Sequence, residues 1–156
     1  MAERLSHLDD EGQVHMVDVG AKPVTRRRAV AEAIVEMSAG VKQMLFGGEL
    51  PKGDALAVTR IAAIMGAKQA SVLIPLCHPI GLDAVAVTIA AVDGGARIEV
   101  VCEVEARTGV EMEAMTGASV GALALYDMIK GLDRGAVVGP VRLLAKSGGR
   151  SGDWTR

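Results

Sequence analysis

Aromatic side chains are scarce in this sequence of 156 residues. They make up 2% of the chain and number three: Phe46, Tyr126 and Trp154. Proteins that bind single-stranded nucleic acid without sequence preference stack the bases on aromatic rings, and general nucleic-acid binders carry a clear basic excess. The formal net charge here is -2. We therefore expect no nucleic-acid partner, and any ring-shaped ligand must be held mainly by hydrogen bonds and charges.

Long hydrophobic runs are also missing, although hydrophobic residues make up 50% of the chain. A membrane-spanning helix needs about 20 consecutive apolar residues, and a signal peptide needs a charged segment followed by an apolar one. The sequence shows neither pattern, so we expect a cytoplasmic protein with no membrane partner. The length predicts one domain over residues 1–156, with flexible segments at 1–12 and 147–156.

Cysteine is rare: the chain has only Cys77 and Cys102. They form no C-x-x-C pair and show no metal-ligand spacing, so we predict no metal site. Both should be free thiols in a cytoplasmic protein. The apolar side chains are mostly small and accompany 19 glycines. We expect apolar surface to remain for subunit packing, which predicts a homo-oligomer.

Hydrophobic periodicity gives the expected elements. Helices are predicted over 26–38, 55–68 and 109–131, and strands over 14–19, 71–76 and 136–144. A β-hairpin over 85–104 turns at Asp93-Gly94-Gly95, with Cys102 in its buried face. Asp54 is the expected N-cap of the second helix. Its predicted core residues are Leu56, Ile61, Ile64 and Met65.

The densest set of titratable groups lies between residues 76 and 133. Its members are Cys77, His78, Glu111, Glu113, Asp127 and Lys130. Cys77 and His78 end a predicted strand, where neighbours point to opposite faces. We therefore expect one of them, His78, to face a cleft. The other reading makes Cys77 a core residue and His78 a turn residue.

Helical geometry relates the carboxylates of the last predicted helix. Thr108 and Glu111 match a capping box, which by itself explains Glu111. Glu113 and Asp127 are 14 residues apart, or about 1400°, so they fall within about 40° of each other on one stripe. Asp127 and Lys130 are neighbours on the helix surface and could be an ordinary ion pair or part of a site. Gly117 and Gly121 each cost the helix about 1 kcal/mol relative to alanine, so we expect another element, a subunit or a ligand to come close there.

Basic residues near the two ends of the chain could hold an anion. Lys146 and Arg150 flank a Gly/Ser-rich segment, 145–153, of the kind that can surround phosphate oxygens. The segment could equally be a loose terminus. Residues 26–28 are three consecutive arginines, read either as a solvated basic turn or as a source of one anion-binding side chain. Lys52 precedes a predicted helix and is either solvated or functional.

Together these segments resemble the cyclic pyranopterin monophosphate synthase family, also called molybdenum cofactor biosynthesis protein C. The matching motifs occur in order along nearly the whole chain. They are Met-Val-Asp-Val at 16–19, Lys-Gly-Asp at 52–54, Leu-Cys-His-Pro-Ile at 76–80, Thr-Gly-Val-Glu-Met-Glu at 108–113, Tyr-Asp-Met at 126–128 with Lys130, and Leu-Leu-Ala-Lys-Ser-Gly-Gly at 143–149.

The resemblance implies an α+β, ferredoxin-like subunit whose antiparallel sheet packs on helices, assembled as a hexamer of three dimers. It implies a lyase that converts 3′,8-cyclo-7,8-dihydroguanosine 5′-triphosphate to cyclic pyranopterin monophosphate and releases pyrophosphate. The substrate would come from an upstream radical GTP cyclase. No cofactor would be required, although Mg²⁺ could accompany the triphosphate.

The resemblance also assigns roles to individual residues. Lys52 and Lys130 would be the general acid and base, with Asp127 as an essential partner. The expected substrate contacts are Arg27, Leu76, Cys77, His78, Glu111, Met112, Glu113 and Lys146. We further hypothesise that the two lysines lie close together and lower each other's pKa, because a lysine exchanges protons efficiently only when its pKa approaches the working pH.

Two other functions fit parts of the sequence. Cys77 and His78 could belong to a thiol hydrolase or a metal site. Alternatively, the chain could be a noncatalytic, oligomeric module that binds a purine nucleotide. Neither accounts for the motifs along the whole chain.

Overall fold

The computed structural model describes residues 7–156. Residues 1–6, for which flexibility was expected, lie outside it. The described chain forms five strands, β1 (Thr25–Glu36), β2 (Ala84–Val92), β3 (Gly95–Ala106), β4 (Val137–Ser147) and β5 (Trp154–Thr155). Its helices are α1 (Ala39–Gly47), α2 (Ala55–Lys68), α3 (Ala70–Leu73) and α4 (Glu111–Ile129).

The strands form one antiparallel sheet in the order β2-β3-β1-β4-β5. Without the two-residue β5, the chain runs strand, helices, strand, strand, helix, strand. That is the connectivity of a ferredoxin-like α+β fold, which the resemblance predicted. Within residues 7–156, no helix is long and apolar enough to cross a membrane.

The core lies between the sheet and the helices. Alternate residues of β3 are buried, including Ile98, Val100 and Cys102, so the predicted hairpin and the core position of Cys102 are confirmed. Alternate residues of β1, such as Ala31 and Ala33, are also fully buried. Small side chains on the central strand let the helices approach the sheet closely.

The predicted helix over 26–38 is wrong, because this segment is the central strand β1. Its alanines fit both a helical spacing and a strand period of two. Residues 29–33 are all buried, so the expected alternation of apolar and polar residues is hidden. As a strand, β1 sends successive arginines to opposite faces. Arg26 and Arg28 pair with Glu103, and Arg27 reaches Gly148.

Two predicted strands are also wrong. The segment 14–19 makes only an isolated bridge, between Leu8 and Val14, and otherwise runs as irregular chain. The segment 71–76 is instead the helix α3 followed by a turn. Short apolar runs cannot be assigned to helix or strand by periodicity alone.

Helix α2 has the predicted bounds, and Asp54 caps it by accepting a hydrogen bond from the backbone N–H of Ala57 at 2.9 Å. Two of its four predicted core residues are wrong, since Ile61 and Met65 are each 60% exposed, whereas Leu56 packs against the core. The buried residues are the small ones and Thr59.

Close packing of α2 against α4 explains this choice of face. A Cβ on Gly66 would lie 2.6 Å from Val120 Cβ, and one on Gly117 would lie 2.9 Å from the backbone oxygen of Ala63. Such distances leave no room for side chains, so the glycines are needed for the approach. The close neighbour predicted for Gly117 and Gly121 is therefore α2.

Candidate active site

The predicted site residues fall into two groups at opposite ends of α4. Lys52, Asp127 and Lys130 meet at its C-terminal end. The predicted substrate contacts lie around its N-terminal end. Fourteen residues of helix separate Glu113 from Asp127, which is about 21 Å along the axis. The densest set of titratable groups in the sequence is therefore divided in a single chain, because residues on one stripe of a helix share a direction but can lie far apart along its axis.

At the C-terminal end, one carboxylate bridges two ammonium groups. The Nζ atom of Lys130 lies 2.7 Å from Asp127 Oδ1. Lys52 Nζ donates to the backbone oxygen of Asp127 at 2.6 Å and lies 3.4 Å from Oδ2. The side chains of Lys52, Lys130 and Asp127 are 47%, 51% and 58% exposed. Lys52 reaches this position because it precedes α2, which packs along α4.

A single chain does not show the hypothesised lowering of the Lys130 pKa. The hydrogen bond to Asp127, together with the carboxylate charge, raises the pKa of Lys130. Lys130 and then Lys52 lower the pKa of Asp127. A carboxylate beside an ammonium group stabilises its charged form, which explains the direction of the shift at Lys130.

At the N-terminal end, a cavity of about 710 Å³ is bordered by the segments 21–28, 107–111 and 146–151. Its charged lining is mostly basic, with Glu111 as an acidic member. Lys146 Nζ lies 3.3 Å from Glu111 Oε1 and 2.9 Å from Ser151 Oγ. Such a cavity suits an anion with several oxygens. The basic lining residues are Lys22, Arg27, Arg28, Arg107, Lys146 and Arg150.

The Gly/Ser-rich segment closes this cavity. Gly148 and Gly149 have φ angles of 90° and 78°, a region that favours glycine. Arg27 Nη1 donates to the backbone oxygen of Gly148 at 3.4 Å, and a Cβ on Gly149 would overlap the Arg27 guanidinium. The segment then turns back so that β5 pairs with β4. Arg27 and the two glycines therefore hold one another in place.

A second cavity of about 440 Å³ adjoins the first and shares Lys22, Thr108, Gly109 and Glu111 with it. Its lining includes the predicted contacts Leu76, Cys77, His78, Met112 and Glu113. His78 Nε2 lies 2.7 Å from the backbone oxygen of Val17, so its N–H donates there.

The expectation that only one of Cys77 and His78 faces the cleft is wrong. Both line the second cavity, because they lie in irregular chain that follows α3 and a turn, and not in a strand. Opposite orientation of neighbours is a property of strands alone.

Glu113 is a buried carboxyl group on the wall of the second cavity. It is 3% exposed, and its Oε1 lies 3.6 Å from Cys77 Sγ. Its Oε2 has no hydrogen-bond partner among the described residues. Burial raises the pKa of Glu113, and burial with the nearby Glu113 charge raises the pKa of Cys77 to about 11. Cys77 is therefore a thiol at neutral pH, which disfavours a nucleophilic role.

The predicted capping box is wrong. The N-cap of α4 is Val110, which makes no side-chain cap, and Glu111 is paired with Lys146. The carboxylate of Glu111 therefore pairs with a lysine of the basic cavity, whereas the capping-box motif predicted a contact with the backbone at the start of α4. Within residues 7–156, no group of three His, Cys, Asp or Glu side chains is placed to hold a metal ion.

Sequence reasoning missed two basic residues of the first cavity, Lys22 and Arg107. Arg107 Nε donates to the backbone oxygen of Lys22 at 3.1 Å, which ties the irregular N-terminal segment to the entrance of α4. The available signal was their position beside Pro23 and Gly109, where the chain changes direction.

The sequence of this chain matches one known protein family. The model of the MoaC family matches residues 16–149. The chain belongs to the MoaC family. The match contains both groups of predicted site residues, so the resemblance inferred from the motifs is confirmed.

Several MoaC relatives cover nearly the whole chain. One from Corynebacterium glutamicum is 50% identical over 152 residues, which are 97% of each chain. One from Corynebacterium efficiens is 51% identical over 151 residues, again 97% of each. One from Streptomyces coelicolor is 49% identical over 154 residues, covering 99% of this chain and 91% of the relative. All three are named cyclic pyranopterin monophosphate synthase.

Proposed function

We propose that this chain acts in molybdenum cofactor biosynthesis as a lyase. It converts 3′,8-cyclo-7,8-dihydroguanosine 5′-triphosphate to cyclic pyranopterin monophosphate and releases pyrophosphate. The observation that carries the proposal is the pair of adjoining cavities, one basic and one lined by Cys77, His78 and Glu113. A nucleoside triphosphate has a part that suits each cavity: an anionic triphosphate for the basic one and a polar ring for the other. The relatives that are 50% and 51% identical to this chain are named cyclic pyranopterin monophosphate synthase.

The substrate would lie across the two cavities. Its triphosphate enters the basic cavity, where Arg27 and Lys146 supply charge-assisted hydrogen bonds. Mg²⁺ could accompany the triphosphate, and no other cofactor is required. The purine-derived end enters the second cavity against the segment 76–78, Met112 and Glu113. Glu111, which borders both cavities, contacts the substrate between its two ends.

The rearrangement needs several proton transfers and no redox step, which suits Lys52 and Lys130 as general acid and base. Such a group must lie about 2.6–3.2 Å from the atom that exchanges the proton. In one chain the lysines are instead about 21 Å along α4 from the cavity that would hold the reacting ring. A second copy of the chain would have to bring its lysine cluster, which is Lys52, Asp127 and Lys130, to the cavity of the first copy.

The surface beside the lysine cluster supports this assembly. Leu123, four residues before Asp127, is 59% exposed, and α2 presents Ile61 and Met65 to solvent. Apolar patches of this kind usually mark an interface. We infer that a second copy covers this surface, and the exposed large apolar side chains of α2, α3 and α4 are Val58, Ile61, Met65, Val72, Leu73 and Leu123. Covering it with a second copy would also remove water from the lysines, which lowers the pKa of an ammonium group.

We therefore propose a homo-oligomer, specifically a hexamer built from three dimers, in the cytoplasm. There it would receive its substrate from a radical GTP cyclase. Asp127 would orient the lysines, as its hydrogen bonds to both already do in the single chain.

A coupled assay tests the reaction. Enzymatically prepared cyclo-dihydro-GTP is given to the wild type, to Lys52→Ala and to Lys130→Ala, and the pterin and pyrophosphate are measured. We expect the wild type to form both, and each variant to bind substrate while kcat falls about 10²- to 10⁴-fold. Lys68→Ala, an exposed lysine at the end of α2, is the control and should retain activity. A wild type that binds GTP tightly and forms neither product would support the noncatalytic module instead.

A further inference from the structure

The buried contact between Cys77 and Glu113 is a feature that the reaction does not by itself explain. The thiol Sγ lies 3.6 Å from Glu113 Oε1, within hydrogen-bond range for sulfur. The two residues come from different segments, the irregular chain after α3 and the first turn of α4, and both line the second cavity. Because Cys77 keeps its proton at neutral pH, the S–H group donates and the carboxyl oxygen accepts.

The other carboxyl oxygen is left without a partner. Glu113 is only 3% exposed, and its Oε2 makes no hydrogen bond among the described residues. A buried acceptor without a donor destabilises the folded chain. A ligand that brings an N–H donor into the cavity would satisfy it. His78 does not serve, because its Nε2 is occupied by the backbone oxygen of Val17.

We propose that Cys77 is a positioning residue: its S–H group holds Glu113 Oε1, so that Oε2 accepts from the amino group of a guanine-type ring. This inference rests on the proposed function. A guanine-type ring carries a ring N–H and an exocyclic amino group side by side, and both are donors. A carboxyl group free to rotate would turn its plane away from the donors of the ring, whereas the thiol contact to Oε1 fixes that plane and the direction in which Oε2 accepts.

The chemistry predicts selectivity for the amino group. Inosine 5′-triphosphate matches GTP except that it lacks this group, so it leaves Oε2 only partly satisfied. A site built around a polar group rejects an analogue that lacks the matching partner. Loss of Cys77 should therefore weaken discrimination between the two nucleotides more than it weakens binding of the shared triphosphate.

The experiment compares the affinity of the full chain for GTP and for inosine 5′-triphosphate by calorimetry. For the wild type we expect GTP to bind about 10-fold more tightly or better, the usual effect of one hydrogen bond to a charged group. Cys77→Ala should reduce this ratio to below about 3-fold, and Cys77→Ser, which keeps a donor, should restore most of it. Cys102→Ala removes a buried thiol of β3 and should leave the ratio unchanged.

A second variant tests whether Cys77 acts through Glu113. In a Glu113→Ala background, Cys77→Ala should not change the ratio further, because coupled residues are not additive. If Cys77→Ala alone leaves the ratio within twofold of the wild type, the positioning role is wrong while the proposed function stands. If the wild type binds neither nucleotide and turns over no cyclo-dihydro-GTP, the proposed function fails and this inference fails with it.

Discussion

The two ends of α4 carry the same kind of group in opposite environments. Glu113 in the first turn is 3% exposed, whereas the Asp127 side chain near the end is 58% exposed. Burial raises the pKa of Glu113, and two ammonium groups lower the pKa of Asp127. Both carboxyl groups face nearly the same direction from the helix. Their chemistry is set by what surrounds each end.

The difference indicates how the work of the site would be divided. The N-terminal end has cavities, a basic lining and a buried acceptor, which are features of binding. The C-terminal end has exposed proton carriers and no enclosure. Neither end alone has both a substrate cavity and an acid–base pair. A site that uses both would require two chains, and this proposal can be tested directly.

Mixing two inactive variants gives the largest expected effect. Lys52→Ala damages the open end and Glu113→Ala damages the cavity end, and each alone should lose most activity, about 10²-fold or more. When the two are coexpressed in equal amounts, half of the symmetric dimers contain one copy of each and regain one intact site of two. We therefore expect roughly a quarter of wild-type activity. The measurement is the rate of pyrophosphate release.

A matched mixture serves as the control. Lys52→Ala and Lys130→Ala damage the same end, so every composite site still contains one defect and activity should stay low. If the first mixture also stays inactive, although it assembles, the two ends of α4 do not belong to one intersubunit site.

Lys146→Ala should affect binding and leave the open end intact. Lys146 pairs with Glu111 and lines the basic cavity, so its loss removes one charge-assisted contact to the triphosphate. We expect GTP affinity to fall about 10- to 100-fold, with a smaller effect at high salt because charge pairs are screened. Titration calorimetry at two salt concentrations measures this. An equal loss in Lys68→Ala would show that the effect is nonspecific.

The sequence predicted those parts of the molecule that depend on local signals. Helix α2 begins after Asp54 and ends at Lys68 as expected, and the hairpin turns beside Gly94. The segments that contribute to the two ends of α4 were also found, because their motifs are short and contiguous. In each case the residues that decide the structure are neighbours in sequence.

Features that depend on distant neighbours were not predicted. β1 resembles a helix because it lies between β3 and β4 and is buried on both faces. Exposure of Ile61 and Met65 follows from the approach of α4 at Gly66, which periodicity cannot show. A helical wheel relates Glu113 to Asp127 by angle and ignores the rise along the axis.

Gly66→Ala tests the packing that holds the two ends in register. The added Cβ would lie 2.6 Å from Val120 Cβ, so α2 and α4 must separate. We expect a loss of about 1–2 kcal/mol in the free energy of unfolding, because overpacking outweighs the gain in helix propensity. Gly40→Ala in α1 meets nothing within 4 Å and should be neutral or stabilising. Denaturant unfolding at fixed protein concentration measures both, and equal effects would contradict the close contact.

The smallest expected effects have opposite signs at the two ends. A carboxyl group whose pKa is raised by folding destabilises the folded state as the pH rises above its unfolded value of about 4.3. Glu113→Gln should therefore stabilise the chain more at pH 8 than at pH 4, because the substitution removes the cost of ionising a buried carboxyl group. Asp127 has a lowered pKa, so its ionised form stabilises the folded chain above about pH 3.9, and this stabilisation is lost as the pH falls further.

Asp127→Asn should consequently destabilise the chain at pH 8 and have little effect in acid, with a modest amplitude because its ion pairs are exposed. Unfolding curves of both variants and the wild type between about pH 2 and pH 8, at one protein concentration, give the comparison. Parallel pH dependence of the two variants would mean that Glu113 is better solvated than its burial indicates. Opposite slopes of stability against pH would show that α4 carries two different carboxyl groups: Glu113, whose ionisation is disfavoured by folding, and Asp127, whose ionisation is favoured. A site that must both enclose a ring and hold charged lysines uses this combination.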